Sequence, residues 1–267
     1  MNLYKDIQQL KSLRILVIGD SCVDRYHYGL CERMSPEAPV PVFKHQSFED
    51  KKGMAANVFE NFKSLGVSPE LITNQELIIK SRYIDKKTKQ HLLRVDEGEK
   101  SLLEALPMAT IRDLKNKKYD ALVISDYDKG FVRVETCSAL MKNIGNIPVF
   151  IDTKKRTLDC FDYEKCIIKL NDFEFSQLAK EPQRSQLIVT LGEGGALYNG
   201  RVFKTQPVEV YDVCGAGDIF LASLVFGFLR TRDLKRSIKI ANQLAGLSVT
   251  KFGTHVLTNE EISEIRF

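Results

Sequence analysis

Short apolar runs rich in β-branched residues alternate with longer stretches of helical spacing along most of the chain. Between the predicted strands, residues 55–65 and 136–144 place apolar side chains at helical spacing, and each stretch is closed by a glycine, as helix ends commonly are. The alternation predicts an α/β fold with three αβα layers around a mostly parallel central sheet. The runs that predict buried strands cover residues 15–18, 121–125, 149–152, 166–170 and 187–191.

Two other segments are strand-like but partly polar. Residues 26–43 include three prolines, at positions 36, 39 and 41, which favour an edge or an extended arm over a central strand. Residues 79–85 and 91–96 predict a hairpin around a polar turn, and Asn199-Gly200 suits the tight turn of another hairpin. We therefore expect a single domain, residues 1–267, with a small β lid made from about residues 26–45 and 79–97.

Composition and charge narrow the class of protein. The 267 residues suffice for one large α/β domain, and 43% hydrophobic with 28% charged residues is typical of a soluble globular protein. The net charge of +4 is spread without blocks, so no nucleic-acid tail is predicted, while a phosphorylated substrate fits. The six scattered cysteines predict neither a zinc site nor a disulfide framework. No run is apolar enough to cross a bilayer, and we expect a cytoplasmic protein without membrane or nucleic-acid partners.

The segment DVCGAGD at residues 212–218 precedes an amphipathic helical pattern. Gly215 and Gly217 let the backbone approach a ligand closely, and the free N–H groups at a helix start bind anionic oxygens. Asp218 would lie beside those amides and could accept the proton of an attacking hydroxyl as a general base. On these residues alone, a turn with a helix cap is at least as good an interpretation.

A second polar group of residues follows the first predicted strand. Ligands of open α/β sheets bind at the carboxyl ends of the strands, where Asp24 and Arg25 would lie. Asp24 could accept hydrogen bonds from sugar hydroxyls, and Arg25 could bind a phosphate with two parallel hydrogen bonds. A surface Asp–Arg pair in a loop is the alternative.

The order of these motifs resembles the ribokinase-like carbohydrate kinases from residue 15 to residue 258. Residues 212–218 are similar to the signature DTxGAGD of that family. Residues 19–42 resemble GDxxxDRYxxG and RxSPEAPVPV of its bacterial heptose 7-phosphate kinases, and residues 52–57 resemble PGGAAN. The resemblance implies Asp218 as catalytic base, an anion hole of Gly215, Ala216 and Gly217, and sugar contacts from Gly53 and Asn57.

Further segments resemble the phosphate-binding motifs of the family. Residues 125–130 and 151–154 are similar to SDYxKG and IDPK, which implies contacts of Asp126, Lys129 and Lys154 with substrate phosphate or ATP phosphates. Surface charges are the alternative for all three side chains. Residues 171–174 resemble NxxE, which implies Asn171 near ATP and Glu174 supporting Mg²⁺ through water. An ordinary helix cap would also explain this pair.

The nucleotide side of the resemblance lies in the last third of the chain. Residues 189–195 are similar to VTxGxxG, which implies that Thr190, Gly192 and Gly195 face the nucleotide. The last helix and the loop after it place Asn242 and Gly253 near the adenine by the same resemblance. Taken alone, these glycines form neither a Walker A sequence nor a dinucleotide fingerprint.

The sequence departs from the family at several positions. Met54 replaces the second glycine of PGGAAN, and Ile219 stands where many members have threonine. Only residues 67–79 occupy the place where the family has a further strand, a helix and part of another strand. We expect Met54 and the short segment to alter the sugar pocket, and the lost core to favour a partner subunit.

The resemblance as a whole implies an ATP-dependent kinase for the anomeric C1 hydroxyl of a heptose 7-phosphate. It implies Mg²⁺ with ATP as phosphoryl donor, allows a monovalent cation, and predicts a homodimer through the lid. The nucleotidyltransferase domain of some relatives is not part of the resemblance, and a surface glycan pathway is expected. Two alternatives stay open: a kinase for another sugar, and a catalytically silent sugar or nucleotide binder.

Overall fold

The computed structural model describes residues 13–99, 103–161, 166–182 and 186–263. The first strands are β1 (Arg14–Gly19), β2 (Ser21–Met34), β3 (Pro41–Met54), β4 (Ser68–Thr73), β5 (Ile79–Asp85) and β6 (His91–Glu97). The later ones are β7 (Ala121–Asp126), β8 (Val149–Thr153), β9 (Cys166–Asn171), β10 (Leu187–Thr190), β11 (Ala196–Tyr198) and β12 (Arg201–Phe203). The helices are α1 (Ala55–Ser64), α2 (Met108–Asp113), α3 (Val134–Asn143), α4 (Asp172–Ser176), α5 (Ala216–Thr231), α6 (Leu234–Ser248) and α7 (Asn259–Ser263).

The main sheet has eight strands in the order β12-β11-β10-β9-β8-β7-β1-β4. Strands β4, β1, β7, β8, β9 and β10 run parallel, while β11 and β12 add an antiparallel hairpin at one edge. The prediction of a mostly parallel central sheet is therefore confirmed, and each of its predicted strands lies in this sheet.

Alternate residues of the central strands enter two separate cores. Ile15 and Val17 of β1 pack with α1, α5 and α6, whereas Leu16 and Ile18 pack on the other face with α2 and α3. A strand buried on both faces has no polar side to show to water, which is why these runs are continuously apolar. This arrangement is the predicted three-layer αβα fold.

The short segment after α1 contains more regular structure than expected. Residues 68–73 form β4, which pairs in parallel with β1 at the edge of the main sheet. The chain then passes to β5 without a helix, and the Asn74 side chain fixes the connection: its Oδ1 accepts from the Ser21 N–H at 2.7 Å, and its Nδ2 donates to the Glu76 carbonyl at 2.7 Å. The short segment therefore forms a strand of the main sheet, and no helix lies between β4 and β5.

The segments predicted for the lid pair with each other in a second sheet, ordered β3-β2-β5-β6. Its strands extend beyond the expected bounds, since β2 begins at Ser21 and β3 ends at Met54. Pro36 and Pro39 lie in the β2–β3 connection, and Pro41 is the first residue of the edge strand β3, where no ladder hydrogen bond is lost.

The two faces of the second sheet differ in character. Asp24, Tyr26 and Arg82 lie on the face turned toward the main domain, which we call the inner face. Arg25, His27 and Tyr83 lie on the opposite, outer face. Within the described ranges no helix is long and apolar enough to cross a membrane.

Candidate active site

Asp218 is buried at the start of α5, with 4% of its surface exposed. Its Oδ2 accepts a hydrogen bond from Asn57 Nδ2 at 2.7 Å, and its Oδ1 accepts one from the Tyr127 hydroxyl at 3.1 Å. The three side chains come from α5, α1 and the loop after β7, so the fold brings together residues that are far apart in the chain. The carboxylate is thereby held in a fixed orientation.

Burial raises the pKa of the Asp218 carboxyl to about 7, because few water molecules can solvate the charged form. The Asn57 hydrogen bond opposes the rise, while the nearby Asp152 charge adds to it; Lys169 and the Tyr127 hydroxyl also favour the charged form. At neutral pH a carboxyl group with a pKa near 7 is partly deprotonated, and it is a stronger base than an ordinary carboxylate. Both properties are needed in a general base.

The backbone before Asp218 has a conformation that requires glycine. Gly215 has a φ of +78°, and a Cβ built there would lie 2.9 Å from Asn57 Nδ2 and 3.0 Å from Thr254 Cγ2. Any side chain would therefore push against the group that orients Asp218. Ala216 and Gly217 follow as the first residues of α5, and the amino terminus of a helix favours an anion. The Ala216 N–H also donates to the Val213 carbonyl at 3.2 Å, which closes the turn before the helix. The predicted anion hole thus lies directly beside the predicted base.

A cavity of ≈ 640 Å³ leads away from this anion hole. Ala216 and Gly217 line one part of it, and four residues predicted to bind the nucleotide line it as well, namely Thr190, Gly192, Gly195 and Asn242. Its volume is typical of a small-molecule site. The Asn242 side-chain nitrogen donates to the Phe203 carbonyl at 2.6 Å, which fixes the orientation of the amide at the wall of the cavity.

The other two predicted nucleotide residues do not line this cavity. Gly253 donates its N–H to Asp212 Oδ2 at 3.0 Å and lies close to the Tyr26 ring, so it joins the anion-hole loop to the second sheet. Asn171 caps α4: its Oδ1 accepts from the Glu174 N–H at 2.7 Å, and Glu174 Oε2 accepts from the Asn171 N–H at 2.8 Å. The helix cap that the sequence allowed is therefore present.

Glu174 and Lys154 meet at the phosphate end of the site. Lys154 Nζ contacts Glu174 Oε1 and lies 5.2 Å from the centre of the Tyr127 ring. Burial lowers the pKa of Lys154, an effect that Asp152 opposes. Among the described residues no group of three or more His, Cys, Asp or Glu side chains is placed to hold a metal ion.

Asp24, which the sequence predicts to contact the sugar, is buried on the inner face of the second sheet. Its Oδ1 accepts from Arg82 Nη1 at 2.6 Å, and its Oδ2 accepts from the Thr254 hydroxyl at 3.3 Å. Gly53 lies against this carboxylate, because a Cβ there would be 2.6 Å from Asp24 Oδ2. The Thr254 hydroxyl donates to Asp24, and its methyl carbon would lie 3.0 Å from a Cβ built on Gly215. The predicted sugar contact and the predicted anion hole therefore lie on the same side of the molecule.

The structure does not bring Arg25 to this site. Asp24 and Arg25 are consecutive residues of β2 and not loop residues, so their side chains point to opposite faces of the sheet. Arg25 binds Asp50 on the outer face with two hydrogen bonds of 2.7 and 2.8 Å. Arg82, which sequence reasoning did not single out, occupies the inner face beside Asp24.

Asp126 and Lys129 have largely structural contacts. Asp126 is buried and accepts from the Thr153 hydroxyl at 2.6 Å, and Lys155 Nζ lies 3.0 Å from the same carboxylate. Lys129 Nζ binds Glu99 at 2.7 Å, and Lys80 Nζ lies 3.3 Å from the other oxygen of Glu99. Two ammonium groups therefore share one carboxylate near the inner face, where a further anion could bind.

The site also contains residues that the sequence analysis did not predict. Tyr127 stands inside the SDYxKG-like segment, so its motif offered a signal, although only its neighbours were selected. Arg82 and Lys169 offered none, because their positions depend on strand pairing: Arg82 lies opposite Tyr26, and Lys169 lies opposite Asp152. Asp152 Oδ1 and Ser125 Oγ are buried at the same sheet edge, and neither has a hydrogen-bond partner within the described structure.

Comparison with known proteins agrees with this geometry. Residues 54–261 match the family described as pfkB family carbohydrate kinase. The bifunctional protein HldE of a Nitratiruptor species is 33% identical over 304 residues, an alignment that covers 94% of this chain and 64% of that protein. The chain therefore spans somewhat less than two thirds of this relative's length.

Two solved structures share the fold. Phosphofructokinase-2 of Escherichia coli in complex with potassium superposes with a TM-score of 0.71 at 15% identity, covering 95% of this chain and 98% of that one. Ribokinase of Arabidopsis thaliana complexed with ribose and ATP superposes with a TM-score of 0.67 at 13% identity, covering 95% and 99%. At these identities the likeness concerns the ribokinase-like fold alone.

Proposed function

Since the chain belongs to the pfkB family of carbohydrate kinases, we propose that it transfers the γ-phosphoryl group of ATP to the anomeric C1 hydroxyl of a heptose 7-phosphate. The observation that carries the proposal is the position of Asp218. It is a buried, oriented carboxyl group beside an anion hole, and a cavity of nucleotide size opens from that hole. The choice of sugar rests on the N-terminal resemblance to heptose 7-phosphate kinases.

In this reaction Asp218 accepts the proton of the attacking hydroxyl. The hydroxyl oxygen forms a bond to the γ-phosphorus as the bond from that phosphorus to the bridging oxygen breaks, and ADP leaves with the bonding electrons. Asn57 and Tyr127 keep the carboxylate aimed at the hydroxyl. The amides of Gly215, Ala216 and Gly217 stabilise the charge on the phosphoryl oxygens during transfer.

Magnesium is the cofactor that these residues fit. It would be held mainly by the phosphates and by water, and Glu174 of the NxxE-like segment would support it through water. When bound, Mg²⁺ neutralises phosphate charge. Lys154 contacts Glu174 and lies beside Tyr127, so we assign its ammonium group to the ATP phosphates. Dependence on a monovalent cation is to be tested by comparing potassium with sodium in the same assay.

The sugar would lie between Asp24, Gly53 and Asn57. Asp24 accepts hydrogen bonds from its hydroxyls, and Gly53 leaves room for the backbone to approach. We assign the 7-phosphate of the substrate to Lys80 and Lys129, because two cations share the single carboxylate of Glu99 there. The second sheet acts as a lid that covers the substrate and limits wasteful hydrolysis of ATP.

The outer face of the lid supports a homodimer. Phe48 and Leu93 are 55% and 58% exposed on this face, next to His27 and Tyr83, whose rings stack 4.5 Å apart. Exposed apolar side chains on a sheet face turned away from its own domain are stabilised when a second copy covers them. We therefore propose that two chains pair through their lids.

A substrate panel tests the proposal. Purified protein is incubated with Mg-ATP and heptose 7-phosphate, ribose, fructose 6-phosphate or adenosine, and the product is identified by ³¹P NMR. A new signal of an anomeric phosphate with heptose 7-phosphate is the expected result, and such a product would suit surface glycan synthesis. Transfer to another sugar would replace the heptose assignment, and no transfer to any acceptor would indicate a silent binding protein.

A further inference from the structure

Lys169 is a buried lysine next to the anion hole. Only 3% of its surface is exposed, and its Nζ binds Asp152 Oδ2 at 2.6 Å. A Cβ built on Gly217 would lie 3.0 Å from the same Nζ, so the ammonium group lies against the open side of this glycine in the first turn of α5. Lys169 belongs neither to the NxxE-like segment nor to any other motif of the sequence.

Its position in the sheet explains the direction in which it points. Ile167, two residues earlier in β9, packs into the core beneath α5, so Lys169 projects toward the same helix at the carboxyl end of the strand. Asp152 lies opposite it on β8 in the parallel register, and Phe150 of that strand enters the same core. The lysine is therefore fixed by the sheet beneath the amino-terminal turn of the helix.

The electrostatics of this position are unusual for a lysine. The amino terminus of a helix carries a partial positive charge, so a buried ammonium group there is repelled by the helix. Asp152 balances one positive charge and takes up one of the three N–H donors of the ammonium group. The combination of a helix amino terminus and a lysine suits an additional anion, and the cavity lined by Ala216 and Gly217 is where that anion would arrive.

We propose that Lys169 is a further catalytic residue, whose ammonium group contacts the γ-phosphoryl group of ATP at the Gly215–Gly217 anion hole and follows it during transfer. This inference rests on the proposed phosphoryl transfer but not on the identity of the sugar. The proton of the acceptor hydroxyl goes to Asp218, so Lys169 takes no part in the proton transfer. The ammonium group stabilises the negative charge of the transferring phosphoryl group, in addition to the backbone amides.

The test compares two nucleotides that differ at the γ-position. Affinities for AMP-PNP and for ADP are measured by isothermal titration calorimetry with excess MgCl₂ and no sugar, for the wild type, Lys169→Met and Lys169→Arg. Lys169→Met is expected to weaken AMP-PNP binding about 10- to 100-fold and ADP binding less than about 2-fold. It should also lower kcat about 100- to 1,000-fold, as loss of an oxyanion-hole donor does. Lys169→Arg should recover part of both.

Two further variants guard against a purely structural effect. Lys155→Met breaks another buried lysine–aspartate contact and should leave the ratio of the two affinities unchanged. Lys169→Met combined with Asp152→Asn removes both charges of the pair. This double variant should still bind AMP-PNP more weakly while its affinity for ADP changes little, even if the single variant folds poorly. Equal weakening of AMP-PNP and ADP, or no change in either, would overturn the inference.

The experiment also separates this inference from the choice of substrate. Because no sugar is present, the measurement reports on Lys169 even if the chain phosphorylates a sugar other than a heptose phosphate. A wild-type chain that binds neither nucleotide would overturn both proposals.

Discussion

Asp218 differs from a surface carboxylate in two ways that act on its pKa in opposite directions. It is shielded from water, and its carboxyl group accepts hydrogen bonds from two side chains. Burial raises its pKa, while Asn57 and Tyr127 stabilise the charged form. The same carboxyl group in the unfolded chain has a pKa of about 4, so between about pH 4 and pH 7 the folded state binds one more proton than the unfolded state. The free energy of unfolding contributed by this group therefore falls as pH rises through that window.

The first prediction concerns the charge of Asp218. Asp218→Asn should lower kcat by about 100- to 10,000-fold, the range expected for loss of a general base. The same change should raise the melting temperature at pH 8 more than at pH 5. At pH 8 it replaces a buried charged carboxylate by a neutral amide, whereas at pH 5 the carboxyl group is already neutral. Kinetic assays and thermal unfolding at both values of pH measure this, with the exposed Asp128→Asn as control. Unchanged kcat would exclude Asp218 as the base.

The second prediction concerns the pH profile. A base with a pKa of about 7 is protonated below that value, so kcat/KM should fall about 10-fold for each further pH unit below 7. Tyr127→Phe removes a hydrogen bond that stabilises the charged carboxylate, and the acidic limb should therefore move to higher pH. Rates measured from pH 5 to pH 9 decide it. A limb that moves to lower pH in Tyr127→Phe would contradict the assignment.

The third prediction concerns Met54. Its φ of +58° and ψ of −133° form a backbone conformation that glycine adopts without strain, and the motif PGGAAN that this segment resembles has glycine at this place. Met54 is also 4% exposed and packs into a core. Met54→Ala loses the packing and keeps the strain, whereas Met54→Gly loses the packing and relieves the strain. Chemical denaturation should find the glycine variant more stable than the alanine variant by about 1–3 kcal/mol.

At the scale of elements, the second sheet decides which charged side chains lie beside Asp24 at the proposed sugar site. Its strands alternate side chains between the two faces, and the parallel pairing of β2 with β5 places Arg82 opposite Tyr26. Arg82 therefore reaches Asp24, whereas Arg25, adjacent to Asp24 in sequence, does not. A shift of one residue in this pairing would exchange the two faces.

The fourth prediction tests that pair. Arg82→Met leaves Asp24 buried without its cation, so KM for the sugar should rise about 10-fold or more while KM for ATP stays within about 2-fold. The melting temperature should fall as well, because a buried charge loses its partner. Arg94→Met is the matched control: Arg94 pairs with Asp96 on the same sheet but is exposed, and its loss should change neither constant much. Equal effects of the two changes would argue against a role for Arg82.

The fifth prediction belongs to the whole molecule. If two chains pair through their lids, Phe48→Glu or Leu93→Glu places a charge in the shared apolar face and should convert the dimer to a monomer. Val202→Glu, at a residue of β12 that is 45% exposed, introduces the same charge on the main sheet and should leave the dimer intact. Sedimentation velocity distinguishes the two masses. A wild-type monomer, or a dimer insensitive to both lid variants, would refute this arrangement.

The sequence by itself determined the layers and the catalytic turn. Apolar runs, helical spacing and the glycines at residues 215 and 217 are local signals, and local geometry follows from them. The site as a whole depended on contacts between distant segments. Strand register placed Arg82 and Lys169 beside the proposed ligands and turned Arg25 away, and a polar edge segment became β4 only because β1 was available to pair with it. Such pairings arise from packing between elements, which no local stretch of residues encodes.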